Sequence, residues 1–156
     1  MIQHKVIDGL LLRDMLIAGA NLLEQNREAV DALNVFPVPD GDTGTNMSLT
    51  MQSAVREINA QEYLRADEAA AAISKGALKG ARGNSGVITS QLLRGFATAL
   101  KGVEKITPVQ FAQALKAGSD KADLRCKDSE SRAHCQKNRP KSTIRSATSP
   151  MAVGLV

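Results

Sequence analysis

Apolar residues recur at three- and four-residue spacing through most of the first 122 positions of this 156-residue chain, and no stretch of useful length alternates as a strand would. That pattern restricts the chain to packed helices. The spacing predicts a first helix over 6–25, with Leu11, Met15, Ala18 and Leu22 as its stripe and Ile7 and Leu10 beside it. A short helix is expected over 27–33, and a third from about Thr45 to Ile58 that buries Met47, Met51, Ala54, Val55 and Ile58. An alanine-rich helix over 66–79 follows, since the run at 69–72 favours helix and allows close packing. Val87, Ile88, Leu92, Leu93 and Phe96 carry another helix to about Leu100. Pro108 suits the first turn of the next, with Phe111, Ala112, Leu115 and Ala122 along it. Aromatics make up only 3% of the chain, which fits a core of aliphatic helices better than a sandwich. The expected class is all-α, a bundle of about five to six helices with two glycine-rich interruptions.

Composition changes at Asp123. Between there and Ser149 the only Val, Ile, Leu, Met or Phe residues are Leu124 and Ile144, too few to offset the entropy of ordering. Residues 123–156 are therefore expected to be a disordered tail, and 1–122 the folded part. The tail also carries the charge. It holds seven Lys/Arg and three Asp/Glu, so the +4 net charge leaves 13 of each, and neutrality, in 1–122. A nucleic-acid surface needs a basic face on the folded part, and the balance argues against one. Cys126 and Cys135 fit no usual zinc spacing although His134 is adjacent. No apolar run reaches the roughly 18 residues that span a bilayer. The start, Met1 to Asp8, has no signal-like pattern, so a cytoplasmic location is expected.

Two glycine-rich stretches interrupt the helices, at 37–46 and 80–86. In the first, Asp40 and Asp42 flank Gly41, two prolines stiffen the approach, and Thr43, Gly44, Thr45 and Asn46 lead into a helix. Paired carboxylates at the mouth of a helix suit Mg²⁺, which takes one or two carboxylates plus substrate phosphates. The helix start adds N–H groups for a phosphate. The plainer alternative is a surface turn, for which Asp-Gly is a common dipeptide. A calcium EF-hand fails, because the positions that need Gly and Glu are Thr45 and Met51. In the second stretch, Gly83-Asn84-Ser85-Gly86 is either a phosphate cradle or a well-capped loop, and Arg82 either faces phosphate or is a solvated helix-end charge. There is no Walker loop. No nucleophile sits beside a base, which phosphoryl transfer does not require.

The segment Leu33-Asn34-Val35-Phe36-Pro37-Val38-Pro39-Asp40-Gly41-Asp42-Thr43-Gly44-Thr45-Asn46-Met47 resembles the signature of DhaL-type kinase domains, the dihydroxyacetone kinase L-subunit type. Its closest likeness is to the N-terminal domain of bacterial fatty acid kinases that partner DegV-like fatty-acid-binding proteins. Gly80-Ala81-Arg82-Gly83-Asn84-Ser85-Gly86-Val87-Ile88 is similar to the second motif of that family. The resemblance implies an all-α barrel of about eight antiparallel helices with ATP or ADP held through two Mg²⁺ ions. It implies Asp40 and Asp42 as metal ligands, with Asn34 at or near a third position where the family has Asp. It implies Thr43, Gly44, Thr45, Asn46, Asn84 and Ser85 as nucleotide contacts. The implied acceptor is a fatty acid carboxylate on a DegV-like partner or dihydroxyacetone on a partner subunit; the Val-Phe-Pro run favours the former. A homodimer is a further expectation.

The resemblance covers about residues 1–122, where further helices and a Pro-Val-Glu-Gly-Thr-like stretch are expected to follow. A truncated domain is therefore expected, with weak or no turnover and exposed core faces. The tail has the character of a shifted reading frame: codons for 126–130 admit Val-Lys-Thr-Pro, and those for 130–134 Val-Glu-Gly-Thr. Two other classes stay open at this point. One is a non-catalytic nucleotide- or partner-binding helical module; the other, a nucleic-acid binder acting through its basic tail.

Overall fold

The computed structural model describes residues 6–34 and 40–128. They form six helices: α1 (Gly9–Gln25), α2 (Arg27–Ala32), α3 (Thr43–Ile58), α4 (Ala66–Lys79), α5 (Gly83–Ala99) and α6 (Pro108–Asp128). Among the described residues the only extended pairing is an isolated antiparallel bridge between Ile7 and Ile106. The class is all-α, as the helical spacing predicted. Helix α6 continues through Asp128, past the change of composition at Asp123. The remainder of the expected tail, with Cys135 and His134, lies outside the described residues, as do His4 and the prolines at 37 and 39.

Helix α4 is central and packs on α1, α3 and α5. Its Ala66, Ala69, Ala70 and Ala77 are fully buried, and such small side chains let neighbouring helices approach closely. Ile58 of α3, Ile73 of α4, Phe96 of α5 and Ile106 complete the centre of the core. The rings of Phe96 and Phe111 meet edge to face at 5.6 Å and join α5 to α6. Among the described helices, α6 packs on α5 alone and not on α1.

Three helix faces differ from the predicted stripes; on α6, Ala114, Gly118 and Ala122 are buried, whereas Ala112 and Leu115 are exposed. Asp8 caps α1 by accepting the Leu11 N–H at 2.9 Å. Gly9, Leu12 and Ala20 are the buried residues of α1, with Leu16 packed against the core. Met15 and Leu22, the expected core stripe, are 38% and 62% exposed. The run Leu10-Leu11-Leu12 supports two adjacent stripes, and contact with α3 and α4 selects the second. On α3, Ala54 and Ile58 are buried as expected, but Met47, Met51 and Val55 are only half-buried. Gly44, Ser48 and Thr50 fill the tight positions instead. The Ser48 hydroxyl is buried without a hydrogen-bond partner.

The end of the bundle away from the two glycine-rich stretches is tied by a clasp. Ile7 and Ile106 exchange backbone bonds at 2.8 Å, and the Gly9 N–H reaches the Leu64 carbonyl at 3.0 Å. Asp67 accepts from Arg65 Nε at 3.0 Å and from the Gly102 N–H at 3.1 Å, while Arg65 also pairs with Glu104. The Arg65 guanidinium holds the Asp67 carboxyl below its usual value of 3.8. A depressed folded-state pKa gives stability that is complete above the unfolded value and lost as pH falls through the folded one. Asp67→Asn is expected to cost about 1 kcal/mol at pH 7, a small value because Arg65 remains partly solvated. The gap between the urea midpoints of the two chains is expected to start closing as pH falls below about 4 and to vanish only below the lowered folded-state pKa. A gap that stays constant with pH would assign the loss to packing.

Candidate functional site

The opposite end is built from the starts of α3 and α5. Because consecutive helices alternate in direction, these two N-termini lie at the same end, with the loop before α3 beside them. The Ser85 hydroxyl donates to the Thr43 carbonyl at 3.4 Å, which joins the two motifs. Gly83 adopts φ +58°, a left-handed conformation that glycine takes without strain. A Cβ there would lie 2.4 Å from Asn46 Nδ2, so the Asn46 side chain occupies the space the missing side chain leaves.

Asn34 and Asp40 come together, the Asn34 amide donating to the Asp40 carboxylate at 2.5 Å. Asp42 is the residue at the N-cap of α3, yet its carboxylate makes no capping bond. Its carbonyl accepts the Asn46 N–H at 2.8 Å. Asp40 and Asp42 are both exposed. The set is thus two carboxylates and one amide, all hard oxygen donors once the amide presents its oxygen. Donors of these types suit a Mg²⁺ ion that keeps water and phosphate ligands, short of an all-protein cage. No group of three or more His, Cys, Asp or Glu positioned for a metal occurs among the described residues.

The two helix starts differ. At α3 the Thr45 N–H donates to Asp31 Oδ1 at 3.0 Å and the Thr45 hydroxyl to Asp31 Oδ2 at 2.8 Å. Burial pushes the Asp31 carboxyl up, but the Thr45 donors, the Gly44 N–H and Arg27 outweigh it and hold the carboxyl below its ordinary value. At α5 the N-cap residue Arg82 makes no side-chain cap, so the first turn has no capping acceptor from it. Asn84 is exposed there and Ser85 half-buried. Arg82 is exposed and pairs with no carboxylate among the described residues.

Sequence reasoning missed Asp31 and Thr50. The buried Thr50 hydroxyl donates to the Asn46 carbonyl at 2.7 Å and accepts from the Arg82 N–H at 3.4 Å, so it fastens the first helix start to the second. A polar residue one turn after Asn46, on a face continued by Ala54 and Ile58, was its only signal. Asp31 gave none, since α2 is too short to show which of its faces is inward.

No helix among the described residues is long and apolar enough to cross a membrane. Residues 37–130 match the model of the DAK2 domain, a span that contains both glycine-rich stretches. The chain is 52% identical over 118 residues to "Protein YloV" of Bacillus subtilis (strain 168), covering 76% of this chain and 21% of that protein. It is 52% identical over 116 residues to "Uncharacterized protein SSP1546" of Staphylococcus saprophyticus, covering 74% and 21% respectively. The chain thus spans about a fifth of the length of the curated relatives it matches. With a helical layer that presents both motifs at one end, and a family model matched across more than half its length, the chain belongs to the DAK2 domain family, the DhaL type its motifs resemble.

Proposed function

We propose that this chain carries the nucleotide-binding part of an ATP-dependent phosphotransferase domain of the dihydroxyacetone-kinase-like family. The observation that carries this reading is the junction of the 40–46 turn with the uncapped start of α5, made by Ser85 on Thr43 and Asn46 on Gly83. In this reading Asp40, Asp42 and Asn34 hold Mg²⁺, which supplies charge neutralisation at the phosphate oxygens. The first-turn N–H groups of α5, with Asn84 and Ser85, receive phosphate oxygens of ATP or ADP. Thr43, Gly44 and Asn46 form the opposing wall. The acceptor in this reading is a carboxylate or hydroxyl on a substrate held by a separate protein, as the motif resemblance implies. A fatty acid on a DegV-like partner is the first choice and dihydroxyacetone the second. The folded unit extends at least to the end of α6 at Asp128.

Thermal unfolding of the purified chain tests this: apo, with Mg²⁺-ADP, and with ADP plus chelator. The expected result is an upward shift that requires the metal. A cooperative transition indifferent to Mg²⁺-ADP would replace this reading with a non-catalytic partner-binding module.

A further inference from the structure

We propose that Asp31 is a positioning residue for the metal–nucleotide turn, and that Thr45 is a strut between α2 and α3 and not a phosphate ligand. The consequence for nucleotide binding rests on the reading above; the strut itself does not. Asp31 holds both flanks of the turn. Its carbonyl accepts the Asn34 N–H at 3.0 Å, fixing the residue that bonds Asp40. Its carboxylate takes both donors of Thr45, at 3.0 and 2.8 Å, three residues after Asp42. Asn34 and Thr45, on either side of Asp40 and Asp42 in the chain, are therefore both held by Asp31.

The surroundings leave Thr45 little alternative. A Cβ on Gly44 would lie 2.3 Å from the Arg27 carbonyl, so α2 and α3 are in backbone contact beside the strut. Thr45 is half-buried, and with its N–H and hydroxyl hydrogen both on Asp31 it has no donor left for an anion. The carboxylate also meets the positive end of α3, which leaves α5 as the helix start open to a ligand. Outer partners of this kind orient metal ligands without touching the metal.

A double-mutant cycle on the full chain tests the proposal, with Asp31→Ala, Thr45→Val and the pair. Two quantities are read: urea stability without ligand, and the Mg²⁺ concentration that half-saturates ADP binding. In the apo protein the two single losses are expected to overlap, so that the pair loses less than their sum. The Mg²⁺ midpoint is expected to rise about tenfold in either single variant and no further in the pair. Thr45→Ser, which keeps both donors, is expected to restore both quantities. Asp31→Asn, which keeps an acceptor for the N–H, serves if Asp31→Ala does not fold and is expected to give a smaller rise. Additive apo losses would overturn the strut. A further weakening of ADP binding by Thr45→Val in the Asp31→Ala background would make Thr45 a phosphate ligand and overturn the assignment. A wild-type chain that binds no Mg²⁺-ADP would remove the phosphotransferase reading instead, and the apo cycle would still decide the strut.

Discussion

An Asp42→Ala chain is expected to unfold at the same temperature with and without Mg²⁺-ADP. The wild type at ~100 times its dissociation constant is expected to gain about 2.7 kcal/mol, a rise on the order of 10 °C for a domain of this size. The two effects separate because the Asp42 carboxylate makes no capping bond and is exposed, so nothing in the fold depends on it. Apo stability is therefore expected to stay within about 0.5 kcal/mol of wild type, as for surface substitutions generally. Asp40 is a less clean probe, since its replacement also frees the Asn34 amide. Isothermal titration with ADP at fixed Mg²⁺ checks the point directly. Undiminished affinity in Asp42→Ala would take the metal away from this turn.

Gly95→Val is expected to destabilise the chain by about 3 kcal/mol or more, the upper range for forced overpacking. At Gly95 a Cβ would lie 2.6 Å from the Ala117 carbonyl and 2.8 Å from the Gly118 Cα. At Gly118 it would lie 2.6 Å from the Leu92 carbonyl. These are backbone atoms of the facing helix, so no rotamer change relieves the overlap. Helix α6 packs on α5 and on no other helix of the described fold, so forcing the pair apart also separates Phe96 from Phe111. Such a loss is a large share of the 5–15 kcal/mol that holds a typical domain together. Gly19→Ala in α1 is the control, because nothing lies within 4 Å of its Cβ position. It is expected to be neutral or to stabilise by up to about 1 kcal/mol through helix propensity. Urea titrations of both variants decide the matter, and a Gly95→Val chain within 1 kcal/mol of wild type would refute the close crossing.

The helices were legible where an independent signal marked both ends. Residues 66–79 were bounded by a polar break and by Gly80, and α4 runs from Ala66 to Lys79. Pro108 marked the start of α6 for the same reason. Which face turned inward was less legible. In α1 three consecutive leucines satisfied two stripes equally, and only the position of α3 and α4 distinguishes them. In α3 the tight positions went to glycine, serine and threonine, because space near the two converging helix starts is scarcer than apolar area. At the site, the structure brings Asn34 to Asp40 and Thr43 to Ser85, contacts across 6 and 42 positions of the chain that spacing alone does not reveal. The Asp31–Thr45 pair escaped, because a contact between residues 14 positions apart on separate helices leaves no periodic trace. The end of α6 was misplaced as well, since composition measures whether a segment can build a core and not whether a helix already packed can run on past it.

The clasp between Ile7 and Ile106 sets an order of events during synthesis. Helices α3, α4 and α5 pack on their chain neighbours, so each can dock as soon as it leaves the ribosome. The junction of Thr43 with Ser85 needs nothing beyond the first turn of α5. The partner of Ile7 lies past the end of that helix. A nascent chain that stops just short of Ile106 therefore already has the junction of Thr43 with Ser85 in place, while Ile7 still lacks the bond that closes the far end. Ile7, made before any of the six helices, is thus among the last of the described residues to be secured.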